Sequence, residues 1–383
     1  MGGRLGGGFQ LDLSQMKIAL VHDYIKEFGG AERVLRVLSD IYPEAPIYTA
    51  FQTPDSTAAK EFSDRKIVES PFAFLLRYGN MHSPMRFLLP WIWKSIDLSK
   101  YDLVITSCSG YLARGFKVSD KTKVIAYCHT PPRFLYGYQT NVDLQKYWPV
   151  RVYAAIVGHY LRMFDFESAQ RVDKWIVNSK NVAARVAKFY RKEATVIYPP
   201  IEIKLFEEAA AEARKDDYFL IVSRLVGAKG LLEAVKAAKH LNIRIKIAGG
   251  SVGHSVVKEE MEKIKGDGVE VLGRVGDEEL RYLYARAKGF VALAREEDFG
   301  MAVVESMAAG TPVIAFNGGG FRETVVDGET GILIDDIDVP TLEKAFKRFE
   351  EIKWDKEKIQ KQARKFSREN FEDKFSSVIN KLS

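Results

Sequence analysis

The sequence predicts an α/β protein of two doubly wound domains facing a cleft between them, on three observations. Short apolar runs alternate with helical stretches through both halves. A proline pair interrupts that alternation at Tyr198-Pro-Pro-Ile201, and 383 residues exceed one compact core of ordinary size. Charged residues at 28% and apolar residues at 46% are an ordinary globular composition. No run reaches the ~20 apolar residues that cross a bilayer.

The elements follow in order. Residues 1–15, with Gly2, Gly3, Gly6, Gly7 and Gly8, lack the apolar stretch of a signal peptide and read as a flexible leader, with Met16 the expected natural start. The first domain, 16–200, is expected to place strands at Ile18–Val21, Ile47–Ala50, Leu103–Thr106, Val124–Cys128, Trp175–Val177 and Thr195–Ile197. The second, 201–383, is expected to place them at Phe219–Val222, Ile243–Ala248, Val269–Leu272, Phe290–Ala294, Val313–Ala315 and Ile332–Ile334. Helices are expected between these second-domain strands, near 229–239, 255–265, 277–286 and 300–309. The stretch Pro340–Ser383 has helical periodicity, and its Phe366, Phe371 and Phe375 need a surface that the first domain can supply. Two doubly wound sheets open their ligand crevice at the carboxyl ends of the strands.

Cys108 and Cys128 exclude a disulfide framework and a cysteine-built zinc site, and read as small buried hydrophobes in a cytoplasmic protein. Residues 1–200 hold 27 Lys and Arg against 18 Asp and Glu, and 201–383 hold 30 against 33, so the first half is the basic one. Its apolar segments Phe72–Arg77 and Phe87–Lys94, with Arg86, Lys94 and Lys100 nearby, suit either core helices or peripheral contact with an anionic membrane at its inner face.

The chemistry concentrates where strands end. After the run Phe290–Ala294 comes Arg295-Glu-Glu-Asp-Phe-Gly300, then a helix ended by Gly310. The first-turn amides and positive dipole end at Gly300 favour an anion such as a diphosphate. Glu297 precedes that anion hole and Glu305 lies between one and two turns into the helix, where carboxylates can accept bonds from sugar hydroxyls. The competing readings, a capping acid and a solvated helix residue, lose weight because Val303, Val304, Met307 and Ala308 surround Glu305.

Ser223-Arg-Leu-Val-Gly-Ala-Lys-Gly230 follows another strand, so Arg224 and Lys229 can neutralise a diphosphate leaving group, although a solvated loop explains them equally in isolation. Gly29 and Gly30, after the first strand, permit close approach of backbone to a phosphate or sugar, or simply a tight turn. His129 sits just past the Val124 strand, balanced between substrate contact and structural histidine. Gly273-Arg274-Val275 reads as a base-side backbone contact or a surface turn, and Asn317-Gly-Gly-Gly-Phe-Arg-Glu323 as an anion or sugar nest or a flexible turn. Zinc peptidase, P-loop and serine hydrolase motifs are absent from the sequence, a dinucleotide fingerprint is incomplete, and metal-independent chemistry without a cofactor is expected.

These residues resemble a retaining glycosyltransferase of family 4 with the GT-B fold, two Rossmann-like domains facing an interdomain cleft. The resemblance rests on Glu297-Asp-Phe-Gly-Met-Ala-Val-Val-Glu305, Ala309-Gly-Thr-Pro-Val313, Ser223-Arg-Leu with Lys229-Gly230, Phe28-Gly-Gly-Ala-Glu32, Val177-Asn-Ser179 and Gly328-Glu-Thr-Gly-Ile-Leu333, in that family's order. It implies that Glu305 holds the nucleotide ribose, Glu297 the donor sugar hydroxyls, and Arg224 with Lys229 the diphosphate. It also implies that the amides of Phe299, Gly300 and Met301 face the donor, with Gly30 and His129 approaching from the first domain. His22-Asp-Tyr24 and His129-Thr-Pro-Pro-Arg-Phe-Leu135 look most like enzymes that use GDP-mannose to build polysaccharide or lipid-linked glycans. The implied activity is mannosyl transfer from that donor to a glycan or lipid-linked acceptor, with no nucleic-acid partner. A UDP-sugar donor, a sugar nucleotide epimerase and a non-catalytic sugar-nucleotide-binding subunit stand as alternatives.

Overall fold

The computed structural model describes residues 16–77, 84–138, 148–223, 230–250, 266 and 268–381. The first domain carries a parallel sheet of β1 (Ile18–His22), β2 (Ile47–Thr49), β3 (Ile67–Glu69), β4 (Leu103–Cys108), β5 (Lys123–Cys128), β6 (Lys174–Val177) and β7 (Ala194–Val196), in the order β3-β2-β1-β4-β5-β6-β7. Its helices are α1 (Gly30–Ile41), α2 (Thr57–Glu61), α3 (Ala73–Arg77), α4 (Leu89–Lys94), α5 (Trp148–Gln170) and α6 (Lys180–Tyr190). The second domain's parallel sheet has β8 (Phe219–Val222), β9 (Ile245–Ala248), β10 (Val269–Gly273), β11 (Gly289–Ala292), β12 (Val313–Phe316) and β13 (Gly331–Ile334), in the order β10-β9-β8-β11-β12-β13. Around it lie α7 (Ile203–Glu212), α8 (Leu231–His240), α9 (Asp277–Arg286), α10 (Met301–Ala308), α11 (Phe321–Thr324), α12 (Val339–Glu351) and α13 (Lys356–Arg364). A last helix, α14 (Arg368–Asn380), packs elsewhere.

Each sheet changes direction once, between β1 and β4 and between β8 and β11. Crevices open at such switch points, beyond the carboxyl ends of the strands. The central strands are buried on both faces, which is why they read as unbroken apolar runs rather than alternating ones. Cys108 and Cys128 sit in register on β4 and β5, both buried.

Several strand ends differ from expectation by one or two residues, and three elements have a plain physical reason. Strand β3 carries only Ile67-Val-Glu69, too short for a periodic signal. Strand β9 starts at Ile245 because the Ile243 amide still bonds Ala238 O at 2.8 Å, closing the turn after α8 with Asn242 in the left-handed region. Strand β11 ends at Ala292, and Leu293 and Ala294 leave the sheet to line the cleft. The leader, the helix expected near 255–265, Arg224 and Lys229 lie outside the described residues.

After α13 the chain returns beside the proline connector. The Ile201 amide donates to Phe366 O at 3.1 Å and the Arg368 amide to Ile201 O at 3.1 Å. Helix α14 then lays Phe371, Phe375 and Ile379 into the core of the first domain, among Leu20, Ile105, Ile125 and Tyr127.

Candidate functional site between the two sheets

The second domain builds one wall from the turn between β11 and α10. Gly300 caps α10 with φ +90°, a left-handed conformation that disfavours a side chain, and a Cβ there would lie 2.5 Å from the Phe321 ring. The glycine run Gly318–Gly320 packs beneath the same turn. A Cβ on Gly319 would sit 2.2 Å from Glu297 O, and one on Gly320 2.3 Å from the Phe299 Cα. The Gly320 amide donates to Glu297 O at 2.9 Å. Of the two readings of this run, nest and turn, the geometry makes it a floor that the Glu297–Phe299 loop rests on.

Asp298 faces the first domain instead of the cleft wall beside it. Arg133 donates to it at 2.7 Å and Arg185 at 2.8 Å, while Arg133 also bonds Glu296 O at 2.7 Å. Burial pushes the Asp298 carboxyl up, against the pull of both guanidinium groups. Glu323 makes a second crossing: its carboxylate accepts the Lys180 amide at 2.9 Å, the Asn181 amide at 3.1 Å and the Tyr198 hydroxyl at 3.1 Å. An acid of the second domain thus satisfies first-turn amides of α6, which a helix cannot satisfy itself.

The first domain builds the opposite wall. Glu32 closes the first turn of α1, accepting the Gly29 amide at 3.0 Å. Gly30 comes so close to the second domain that a Cβ would meet the Met301 sulfur at 2.9 Å. His129, at the end of β5, bonds through Nε2 to Ser107 Oγ at 2.8 Å, and Ser107 Oγ in turn meets His22 Nδ1 at 3.0 Å. Burial, reinforced by neighbouring His22, pushes His129 down to about 3, so its imidazole is neutral at physiological pH. Asn178 holds the His129 carbonyl at 2.8 Å.

Between these walls lies a cavity of about 330 Å³, floored by the carboxyl ends of β8 and β11. Gly30, His129, Glu297, Phe299, Gly300 and Met301 line it together. Ser223, the last described residue before Arg224, lines it as well.

Three expected residues stand outside that lining. Gly29 lies one residue back, as the cap of α1. Arg274 reaches across the cleft to Thr57 Oγ1 at 3.2 Å. Glu305, expected in the crevice, is buried at the domain seam, where the Tyr284 hydroxyl donates to it at 2.9 Å and Arg33 pairs with it at 2.6 Å. Among the described residues, the pairings the sequence did not announce are Arg33 with Glu305, Arg133 and Arg185 with Asp298, Glu323 on α6, and the Ser107 and His22 bonds behind His129. His22, Arg133, Asp298 and Glu305 stood within segments already singled out, but each pair joins positions far apart in the chain.

Known proteins match this architecture. The family model for Glycosyltransferase Family 4 matches residues 28–205, and that for Glycosyl transferases group 1 matches 203–366. An uncharacterized glycosyltransferase of Methanocaldococcus jannaschii is 29% identical over 161 residues, 42% of this chain and 45% of its own length. The alpha-1,3/1,6-mannosyltransferase ALG2 of Dictyostelium discoideum is 26% identical over 281 residues, 61% of this chain and 63% of its own. The matched stretches therefore span under two thirds of either relative. The Anabaena protein HepE, solved with UDP-glucose, superposes with a TM-score of 0.68 at 17% identity, covering 96% of this chain and all of its own, which establishes a shared GT-B fold.

Proposed function

We propose that the chain, which the family models for Glycosyltransferase Family 4 and Glycosyl transferases group 1 match in turn, transfers a hexosyl group from a nucleotide sugar to an acceptor hydroxyl. The observation that carries this reading is the interdomain cavity, which gathers Glu297 and the N-terminal end of α10 from one domain with Gly30 and His129 from the other. A sugar nucleotide needs such a mixture: an anion site for the diphosphate and hydrogen-bonding groups for the sugar.

In this reading the donor diphosphate lies at the N-terminus of α10, with Arg224 and Lys229 as its cationic partners. Bond cleavage places negative charge on that diphosphate, so groups that favour charge there stabilise the transition state more than the ground state. Glu297 orients the sugar. Neutral His129 offers a hydrogen bond without placing a competing charge beside the donor. Glu305 takes the ribose beside its pair with Arg33, so donor binding bears on a contact of the domain seam.

The donor we favour is GDP-mannose, transferred with retention and without a metal to a glycan or lipid-linked acceptor. The motifs His22-Asp-Tyr24 and His129–Leu135 support it, as does the partial likeness to a mannosyltransferase. The structural neighbour HepE binds UDP-glucose and keeps the UDP alternative in view. A thermal-shift screen of GDP-, UDP- and ADP-sugars decides between them, because a ligand of the folded state raises apparent stability. Stabilisation by GDP-mannose above all others, followed by acceptor-dependent turnover, is expected. Stabilisation by none of them would sink the transferase reading, and conversion of donor without an acceptor would replace it with an epimerase.

A further inference from the structure

Of the thirteen large apolar side chains exposed among the described residues, ten fall between Phe74 and Phe166. They concentrate on one side of the first domain. On α5, Trp148 (69% exposed), Val152, Ile156 (68%), Tyr160 and Met163 recur at intervals of four and three residues and so share a face. The opposite face of α5 buries Leu161, Phe164 and Ala169 in the core, so the helix is apolar on two sides and covered on one. Helix α4 extends the uncovered strip, its Trp91 meeting Tyr160 with ring centroids 5.8 Å apart.

The charge around this strip is mainly positive, with the exposed Glu167 one turn past Met163 at its end. Residues 70–96 and 148–164 contain no Asp or Glu and carry Lys94, Arg151 and Arg162, besides Arg77, which pairs with Glu69 at 3.2 Å, and Arg86, which stacks on Phe134. Lys94 and Arg151 are exposed at the strip itself. A two-fold pairing with a second copy would bring this excess of cations together, offset on the strip by Glu167. An anionic bilayer offers both complements: headgroup charge for the cations and an interfacial layer for Trp, Tyr and Ile side chains.

We infer that the face formed by α4 and α5 rests on the surface of an anionic lipid bilayer. The same helix abuts the cleft wall, since Arg162 donates to Leu135 O at 3.3 Å and Arg133 reaches Asp298 across the cleft. A lipid-anchored acceptor is then presented beside the cavity; that extension rests on the transferase reading, whereas the bilayer contact does not.

Flotation of the full chain with vesicles of phosphatidylcholine alone, and of phosphatidylcholine mixed with phosphatidylglycerol, tests the contact. The chain should float with the mixed vesicles at low salt. The variant Trp148→Ser/Ile156→Asp, which alters only exposed side chains and should keep the parent melting temperature, should partition roughly tenfold more weakly or worse. Leu205→Asp, a control on an exposed residue of the second domain, should float like the parent. A parent chain that stays unbound with the mixed vesicles, or a double variant that floats equally, overturns the inference. So does a lipid-free dimer that the double variant dissolves. The readout is binding, so its failure leaves the transferase reading standing.

Discussion

His129 shows how one residue joins stability to the site. Its ring is held neutral by burial, at about 3, whereas an unfolded chain leaves the imidazole near its ordinary value of 6.5. Between those values the unfolded state binds a proton that the folded state does not, so stability falls as pH drops from 6.5 toward 3 and is unaffected by this group above 6.5. Urea denaturation at about pH 7 and about pH 4.5 should therefore show a smaller acid-induced loss in His129→Gln than in the parent. Equal losses in both would mean that the ring is solvated and titrates normally. The sequence placed this histidine at a strand end, because an apolar run stops just before it. It could not show Ser107 and His22 behind the ring, since those bonds depend on three neighbouring strand ends meeting in the sheet.

At the level of elements, glycines shape the site by what they allow to pack. Gly320 has an ordinary helical conformation, so a methyl group there is refused by space alone: its Cβ would lie 2.3 Å from the Phe299 Cα. Gly320→Ala should push the Glu297–Phe299 loop into the cleft while leaving both sheets intact. Turnover should drop roughly a hundredfold with little change in far-ultraviolet circular dichroism, because a displacement near 1 Å at a reacting centre has about that effect. Activity within a factor of about two of the parent would show that the loop does not position the donor. Strand-level structure was legible because strands buried on both faces must be apolar throughout. The cap on α6 was not, because its acid, Glu323, comes from the other domain, and local capping patterns look only a few residues ahead.

Across the whole molecule, sequence order and spatial membership part company at the C-terminus. Three phenylalanines in a charged helical stretch signalled a missing surface, but only the folded chain supplies it: Phe366 stays with Tyr198 and Phe299, while Phe371 and Phe375 cross to the first domain. The Phe371 ring meets Tyr127 of β5 at 5.8 Å and is almost wholly buried. Arg368 adds pairs to Asp40 at 2.9 Å and Glu202 at 3.0 Å, on either side of the connector. Helix α14 is thus a strap that ties the end of the chain to the first sheet. Phe371→Ala removes a buried ring from that strap and should destabilise the protein by about 3 to 5 kcal/mol. Its location matters more than its size. Amide hydrogen exchange in the variant should accelerate in β1 and β5, whose side chains share the core with α14, before it accelerates in β11 to β13. Acceleration confined to the second sheet would show that the strap stabilises the domain it follows in sequence and not the one it covers.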